Sequence, residues 1–302
     1  MKEEIISVKS IHELHKLLNL DAPLHPLVSI IDAKDIAFAK EMLGVKMTSE
    51  LYYIAVKDHC NGLKYGRSSY DFENGTLMFL GPHQIISMSE EIKKGESEGW
   101  LLYFHPDLFS GSPLADKIDE FSFFSYDIDE ALHLSEKERQ IMQIVIDNMN
   151  EELNNRIDNH SQNVFISNIE LLLTYSARYY DRQFSLRKNQ NSTVVSQVDQ
   201  LLKKYYEEGN FTLTGVPNVQ YFADEVNLSS NYLSDLLKKE TGRSAKDHIN
   251  DFIIVKAKHI LLGTNQSISE VAYNLGFNYP HYFSRLFKNK TGMTPNQFRD
   301  SN

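Results

Sequence analysis

Cysteine is almost absent from this sequence, which has only Cys60 among its 302 residues. A single cysteine excludes a disulfide within the chain and any metal site built from several thiolates. No apolar run approaches the roughly 20 residues that a membrane-spanning helix requires. The chain opens with Met-Lys-Glu-Glu-Ile-Ile, which places acids where a secretory signal has a basic stretch and then an apolar one. These absences predict a cytoplasmic protein with no membrane partner.

Sequence motifs for common catalytic sites are missing as well. There is no Gly-x-Ser-x-Gly elbow, no P-loop and no Gly-x-Gly-x-x-Gly fingerprint. The acidic cluster Asp127, Asp129 and Glu130 lacks the Gly and the distal Glu of a calcium loop, and we interpret it as a solvated segment. His25, His59, His83 and His105 stand singly, without the His-x-His pair that the usual ligand set of a cupin metal site needs. The sequence therefore predicts no enzyme, no metal site and no cofactor.

Charge is unevenly distributed along the chain. The net charge of −10 by itself argues against a nucleic-acid partner. Residues 1–190, however, have a net charge of −11, whereas residues 191–302 have a net charge of +1. From Lys238 onward there are 10 basic and 5 acidic residues. A basic tail on an acidic body is typical of a chain whose one end approaches phosphate, although uneven surface charge that serves solubility would give the same totals.

Short strands separated by turn residues dominate the first third. Four segments are rich in β-branched and aromatic residues, and Gly, Asn-Gly and Gly-Pro pairs lie between them. These segments are 27–31, 51–56, 76–80 and 100–104. Many short strands with such turns indicate a sandwich or a small barrel. Its interior is either a ligand cavity or filled with side chains, and large residues on both strand faces favour a filled or modest pocket.

Helices follow the strands. Ser135 and Glu138 have the spacing of a capping box, and the apolar residues behind them recur at helical spacing: Ile141, Ile144, Val145, Met149 and Leu153. A second helix over about 164–181 is apolar over a wide arc, which includes Ile166, Ile169, Leu172, Leu173 and Tyr175. Such an arc must be covered on more than one side. It either packs on the β-body or pairs with its copy in a second subunit.

A polar stretch at 184–193, without apolar period, is the predicted linker between an N-terminal domain (1–183) and a C-terminal domain (194–302). The C-terminal domain contains a two-fold repeat. Residues 223–242 recur at 272–292, with an offset of 49 that becomes 50 because the second copy has one more residue in its turn. Each copy has the pattern of a helix-turn-helix unit that ends at a glycine. Gly276 in one turn and Asn227 in the other fit a left-handed conformation.

The second helix of each copy has two distinct faces. In the first copy Tyr232, Leu233, Leu236 and Leu237 form the predicted core arc, and in the second copy Tyr282, Phe283, Leu286 and Phe287 do so. The opposite arcs have short polar side chains near the start and basic ones toward the end. Such a surface suits base edges in a major groove and the flanking phosphates, although an ordinary solvated face would also be polar.

A helix predicted over 244–262 joins the two copies. Its 19 residues span roughly 28 Å, whereas successive major grooves on one face of DNA lie roughly 34 Å apart. A helix of this length could therefore hold two recognition helices about one turn of DNA apart.

The repeat resembles the AraC/XylS family of bacterial transcription regulators. The second copy carries the resemblance in Ile268 to Ala272, Gly276-Phe277, Tyr282 to Lys288, Thr291 to Pro295 and Phe298-Arg299. The resemblance covers about 194–299 and implies a seven-helix DNA-binding domain. The N-terminal part is similar, less specifically, to the family's variable half, which is a cupin-like β-barrel followed by dimerisation helices. The expected fold is therefore α+β, with an all-α C-terminal domain.

The resemblance also implies which side chains face DNA. They are Ser230, Asn231, Ser234, Asp235 and Lys238 on the first recognition helix, and His281, Ser284, Arg285 and Lys288 on the second. Two positions depart from the family's pattern. Asp235 stands where many members have a basic or amide group, and it either accepts a hydrogen bond from cytosine or repels phosphate. Lys256 stands where Arg is common, so the forked hydrogen-bonding geometry is lost.

The sequence thus predicts a homodimeric transcription regulator that binds double-stranded promoter DNA. RNA polymerase and a small effector are its candidate partners. One alternative is a metal-dependent cupin enzyme with an accessory helical domain. A second alternative is a scaffold whose helical domain binds protein.

Overall fold

In this computed structural model the chain divides into two compact units, residues 1–185 and residues 186–302. The structure describes residues 5–38, 42–58, 61–65, 68–71, 75–88, 91–126, 130–186 and 188–300. Asp127, Asp129 and His59 lie outside these ranges. Each unit has its own buried apolar cluster, and each is described by itself below.

Two five-stranded sheets form the body of the N-terminal unit. Sheet I has the strand order β1-β3-β8-β5-β6, and sheet II has the order β10-β7-β4-β9-β2. The strands are β1 (Ile6–Val8), β2 (Val28–Asp32), β3 (Lys46–Ser49), β4 (Tyr52–Asp58), β5 (Asn61–Tyr65), β6 (Ser68–Asp71), β7 (Thr76–Leu80), β8 (Ile85–Met88), β9 (Glu98–Phe104) and β10 (Leu132–His133). The four predicted strands are confirmed as β2, β4, β7 and β9, and all four belong to sheet II.

The expected closed barrel is not confirmed. Every described strand pairs within one of the two sheets, and no hydrogen-bonded ladder joins sheet I to sheet II within the described ranges. The coarser prediction of an α+β chain with an all-helical C-terminal part is confirmed.

Sheet II is buried on both faces. Tyr53 and Leu80 belong to the apolar cluster that also contains residues of sheet I. On the other face, the ring of Phe79 lies 4.4 Å from that of Phe123, which stacks on Tyr180 at 5.4 Å. Burial on two sides explains why large apolar residues recur at successive positions of these strands.

Four helices accompany the sheets: α1 (Ile11–Leu17), α2 (Pro113–Lys117), α3 (Glu136–Asn154) and α4 (Ser161–Leu186). The capping box is confirmed, since Ser135 and Glu138 satisfy each other's backbone N–H at the start of α3. On α4, the side chains of Ile169, Leu172 and Leu173 are buried. The apolar arc of α4 therefore packs largely within its own chain, which decides between the two alternatives that the sequence left open for it.

The prediction of a linker without periodic structure needs a correction. Residues 184–193 were expected to lack periodic structure, but α4 continues to Leu186 and a further helix begins at Lys188. Residue 187 lies outside the described residues. A polar composition without Gly or Pro is compatible with a helix, because backbone hydrogen bonds form whatever the polar side chains do.

Helices make up the C-terminal unit. They are α5 (Lys188–Glu207), α6 (Phe211–Thr214), α7 (Val219–Val226), α8 (Ser230–Thr241), α9 (Ala245–Gly263), α10 (Ile268–Asn274), α11 (Pro280–Thr291) and α12 (Pro295–Asp300). The resemblance implied seven helices, whereas the described residues of this unit form eight, of which α6 has only four residues. Leu202, Ala223, Leu233, Val271 and Phe283 are completely buried in the shared core.

Candidate nucleic-acid interface

Two helix pairs, α7 with α8 and α10 with α11, have the predicted helix-turn-helix arrangement. In the first turn Asn227 has a left-handed backbone, with φ of 55°. In the second turn Gly276 has φ of 88°. Both predictions of a left-handed turn residue are confirmed.

Gly276 is also required for a reason that the sequence does not reveal. A Cβ atom at this position would lie 2.7 Å from the carbonyl carbon of Gly215, which is in the loop before α7. This distance is shorter than any real contact, and the neighbour is backbone that cannot rotate away. Two glycines that meet backbone to backbone therefore fix the second turn against the loop after α6.

Both recognition helices, α8 and α11, have defined ends. At the start of α8, Ser229 Oγ accepts a hydrogen bond from the N–H of Tyr232 at 3.1 Å. Gly242 ends α8 with φ of 74°, and Gly292 ends α11 with φ of 78°. Glycine at this position caps the last turn without steric cost, so the repeated glycines fix helices of 12 residues in both copies.

The joining helix is confirmed as α9, which has 19 residues. It begins after Ser244, whose Oγ accepts a hydrogen bond from the N–H of Asp247 at 3.1 Å. Ile249, Ile253 and Ala257 are buried along its inner face. The helix is therefore a central element of the core, and the units on its two sides pack against it.

The predicted contact residues of α8 are only partly available. Asn231 and Lys238 are exposed, whereas Ser230, Ser234 and Asp235 are half-buried. The hydroxyl of Ser230 donates to Gln220 Oε1 at 2.7 Å, and that of Ser234 donates to the carbonyl of Ser230 at 2.7 Å. Two hydroxyl protons of this surface are thus already used within the protein.

On α11 the predicted contact residues are more accessible. His281, Arg285 and Lys288 are exposed, and Ser284 is half-buried. The predicted core arc of this helix needs a correction, because Tyr282 is 47% exposed. On α8, by contrast, all four predicted core residues are buried.

Comparison with known proteins agrees with this geometry. Residues 222–301 match the family model described as a helix-turn-helix domain. The chain is 37% identical over 82 residues to an uncharacterised helix-turn-helix transcriptional regulator of Pseudoalteromonas carrageenovora, which covers 27% of this chain and 48% of that protein. It is 34% identical over 77 residues to the transcriptional activator RhaS of an Enterobacter species, covering 26% of this chain and 28% of RhaS. The C-terminal unit is an AraC-type helix-turn-helix domain.

The chain is also similar to part of a solved structure. The C-terminal domain of AraT, a response regulator from Geobacillus stearothermophilus, is 31% identical, with a TM-score of 0.32, and covers 36% of this chain and 85% of that one. Both curated relatives named above are helix-turn-helix transcriptional regulators. The chain spans less than half the length of these two relatives.

Ion pairs connect distant parts of the AraC-type domain. Lys290 Nζ, near the end of α11, lies 2.7 Å from Asp247 Oδ1 and 3.1 Å from Asp251 Oδ1 on α9. Arg243, which follows α8, lies 3.1 Å from the other oxygen of Asp251. The hydrogen bond from Lys290 lowers the pKa of Asp247, and the same bond raises the pKa of Lys290. We call Arg243, Asp247, Asp251 and Lys290 the α9 ion cluster.

Lys256 does not point freely into solvent. Its ammonium lies 5.4 Å from the ring centre of Tyr206, over the ring. Tyr206 in turn donates a hydrogen bond to the carbonyl of Leu275 at 3.3 Å. The lysine therefore covers a core aromatic residue, and this packing is a role that the sequence does not indicate.

A cavity of about 90 Å³ lies inside the N-terminal unit. Residues of both sheets and of α1 line it, among them Leu14, Met47, Thr48, Ser49, Tyr53, Leu80, Gln84 and Tyr103. The described lining residues carry no charge. The ring of Tyr103 lies 4.8 Å from that of Tyr53 at an oblique angle, and burial raises the pKa of the Tyr103 hydroxyl well above its ordinary value. It is therefore a protonated donor at neutral pH.

Within the described ranges, no three His, Cys, Asp or Glu side chains converge as metal ligands would. The described part of the chain also contains no helix that is both long enough and apolar enough to span a bilayer.

Proposed function

We propose that this protein is a sequence-specific transcription regulator that binds promoter DNA as a cytoplasmic homodimer under the control of its N-terminal unit. The observation that carries the proposal is the pair of AraC-type helix-turn-helix units, each with an exposed polar or basic face on its second helix. In this proposal the N-terminal domain comprises residues 1–183, the segment 184–193 connects the domains, and the DNA-binding domain comprises residues 194–302.

The nine contact residues named from the sequence are the proposed DNA surface: Ser230, Asn231, Ser234, Asp235, Lys238, His281, Ser284, Arg285 and Lys288. In this mechanism α8 and α11 enter successive major grooves while α9 sets their spacing. The Lys238 and Lys288 side chains would neutralise phosphate and Arg285 would contact base edges. Dimerisation would place two such domains beside a promoter, where RNA polymerase is a candidate partner.

Arg285→Ala tests the assignment of the DNA surface. We expect a loss of about 1–3 kcal/mol on specific DNA and relaxed preference at one base step, because a bidentate guanine contact has this magnitude. Fluorescence anisotropy with specific and random duplexes would measure both. Lys203→Ala removes one exposed positive charge from α5 and is the matched control.

A salt series on the same complexes separates DNA binding from protein binding. The logarithm of the wild-type binding constant should fall with the logarithm of salt concentration by about 0.9 for each phosphate contact. Unchanged preference of the Arg285 variant for specific DNA would contradict the assigned surface. A domain that binds no duplex DNA at low salt would contradict the proposed function itself.

The cavity supports control by a small effector. It has apolar walls and neutral polar groups, among them the hydroxyl of Tyr103, which suit an uncharged, mainly apolar molecule with one hydrogen-bond acceptor. Binding there would tie sheet I to sheet II. A signal from the N-terminal unit would then change how the DNA-binding domains are placed.

Tyr103→Phe tests the effector site. A ligand found by thermal-shift screening of uncharged compounds should bind the variant about tenfold more weakly, because one buried hydrogen bond is lost. The free energy of unfolding without ligand should change by no more than about 0.5 kcal/mol, since phenylalanine keeps the ring that packs on Tyr53. Tyr179→Phe is the matched control, because the Tyr179 hydroxyl is buried and unpartnered outside the cavity. Equal ligand affinity in both variants would contradict the site.

A further inference from the structure

Aromatic rings are exposed together at the start of the second recognition helix. Tyr279 is 59% exposed and Tyr282 is 47% exposed. Their ring centres lie 6.0 Å apart, and the imidazole of His281 lies 4.2 Å from the ring of Tyr282. We call these three residues the α11 aromatic cluster. Their aromatic and cation–π contacts, in the described part of the chain, are with one another and with Arg285.

The first recognition helix lacks this feature. Its residue at the position of Tyr282 is Tyr232, which is 4% exposed and belongs to the core. The position of Tyr279 is occupied by Ser229, whose hydroxyl caps α8. The two recognition helices thus share a repeat and differ in surface chemistry, with small, internally bonded hydroxyls on α8 and exposed rings on α11.

The cluster is continuous with positive charge. The guanidinium of Arg285 lies 5.3 Å from the ring centre of Tyr282, and Lys288 is exposed one turn from Arg285. Stacking on the ring limits the directions that the guanidinium can take. A surface that combines an oriented cation with apolar rings is complementary to a partner that offers negative charge and a local apolar group.

Thymine is the base that offers such a group. Its C5 methyl is the apolar feature of the major groove, while the other base edges present hydrogen-bond donors and acceptors. Given the proposed DNA binding, we propose that Tyr279 and Tyr282 contact thymine methyl groups beside the base step that Arg285 contacts. The second recognition helix then selects thymine by apolar contact, and the first selects by hydrogen bonds from Asn231.

Replacing thymine with deoxyuridine, which lacks only the methyl group, tests this selection. A site is first selected from random duplex DNA with the full-length protein, and each thymine in the site is then replaced singly. At one or two positions next to the step at which Arg285→Ala relaxes preference, wild-type affinity should fall about fourfold, the value for one buried carbon group. Tyr282→Ala should bind thymine and deoxyuridine equally at that position.

Two variants separate the ring contact from other effects. Tyr282→Phe keeps the ring and should retain the preference for thymine. Tyr273→Ala removes a ring that is 55% exposed on α10, outside the cluster, and should retain the preference as well. The inference is overturned if no single replacement weakens wild-type binding, or if the fourfold effect persists in both Tyr279→Ala and Tyr282→Ala. Failure to select any DNA site would instead overturn the proposed function, and the inference with it.

Discussion

Gly276 and Gly215 show how two residues without side chains position a recognition helix. The turn between α10 and α11 bends sharply because Gly276 has a positive φ, and it packs on the loop before α7 because neither glycine carries a Cβ. Most glycines with positive φ are required only for that backbone conformation. Gly276 is required for its positive φ and also for its missing Cβ. Glycines with a similar φ should therefore differ in their tolerance for substitution.

Gly276→Ala should destabilise the C-terminal unit much more than Gly292→Ala. Both residues have positive φ, which costs an alanine about 1–2 kcal/mol. A Cβ at Gly292 meets nothing within 4 Å, whereas at Gly276 it lies 2.7 Å from backbone, which adds about 1–3 kcal/mol of overpacking. Urea unfolding followed by far-ultraviolet circular dichroism measures the difference.

The fluorescence of Trp100 provides the control for this comparison. It is the only tryptophan of the chain and is buried in sheet II of the N-terminal unit. The urea concentration at the midpoint of the unfolding transition seen by Trp100 fluorescence should be the same in both variants as in wild type, because each unit has a core of its own. An equal decrease in the free energy of unfolding for the two glycine variants would show that the close approach to Gly215 does not make Gly276 less tolerant of alanine.

Among the helices, α9 connects both helix-turn-helix units. Its buried face contributes to the common core, and its N-terminal half carries two acids of the α9 ion cluster. Through Asp251 that cluster joins Arg243, just after α8, to Lys290, near the end of α11. His248 on the same helix lies 2.7 Å from Asp199 of α5. Polar contacts along α9 therefore hold α5, α8 and α11 in one arrangement.

Lys290→Met should weaken this arrangement slightly and change its pH dependence. Because Asp247 is half exposed, solvent screens the pair, and the loss at pH 7 should be at most about 1 kcal/mol. The pKa of Asp247 is lowered in the folded state, so its stabilisation is complete above the unfolded value of about 3.9 and disappears as the pH falls through the folded pKa. The difference in the free energy of unfolding between wild type and Lys290→Met should therefore become smaller below about pH 4.

Urea unfolding at pH 7 and at successively lower pH measures this difference. Lys204→Met is a suitable control, since Lys204 of α5 makes a more exposed ion pair, at 3.8 Å, with Glu208, which directly follows α5. If the difference in the free energy of unfolding between wild type and Lys290→Met stays constant below pH 4, the Asp247 pair does not contribute to stability.

The two units divide the chain's chemistry between them. The N-terminal unit holds most of the acidic charge and the neutral cavity, while the C-terminal unit holds the AraC-type domain and the basic tail. An acidic first unit would repel phosphate, so the proposed DNA contact is expected in the C-terminal unit. The first unit also exposes Ile144 of α3 at 59% and Leu171 of α4 at 43%, and we propose Leu171 as a residue of the dimer interface.

Leu171→Glu should shift the protein from dimer to monomer, because a carboxylate would be desolvated in the interface. Sedimentation equilibrium of the full-length chain measures the association, and the variant should also lose affinity for DNA that carries two half-sites. Leu24→Glu is the control, because Leu24 is 62% exposed outside the helices. A wild-type protein that is monomeric at micromolar concentration would contradict the dimer.

The sequence predicted the elements whose pattern is local. The strands of sheet II stand out because apolar residues fill both faces, whereas β1, β3 and β8 of sheet I were missed because half-exposed strands such as Lys46–Ser49 show no such run. The helix-turn-helix repeat was predictable because a turn glycine, a cap and an apolar arc all lie within 20 neighbouring residues. The end of α4 and the start of α5 within 184–193 were missed, since polar residues are compatible with either conformation.

Tertiary structure decided which of two equivalent surfaces is buried. Tyr232 and Tyr282 occupy the same position of the repeat, yet one is in the core and the other is exposed. The contact of Gly276 with Gly215 and the pairing of Lys290 with Asp247 join residues 61 and 43 positions apart. Sequence alone determined the type of each helix and its capping, because hydrogen bonds within a few residues fix these. Burial depends on what packs from elsewhere in the chain, and only the folded molecule supplies that neighbour.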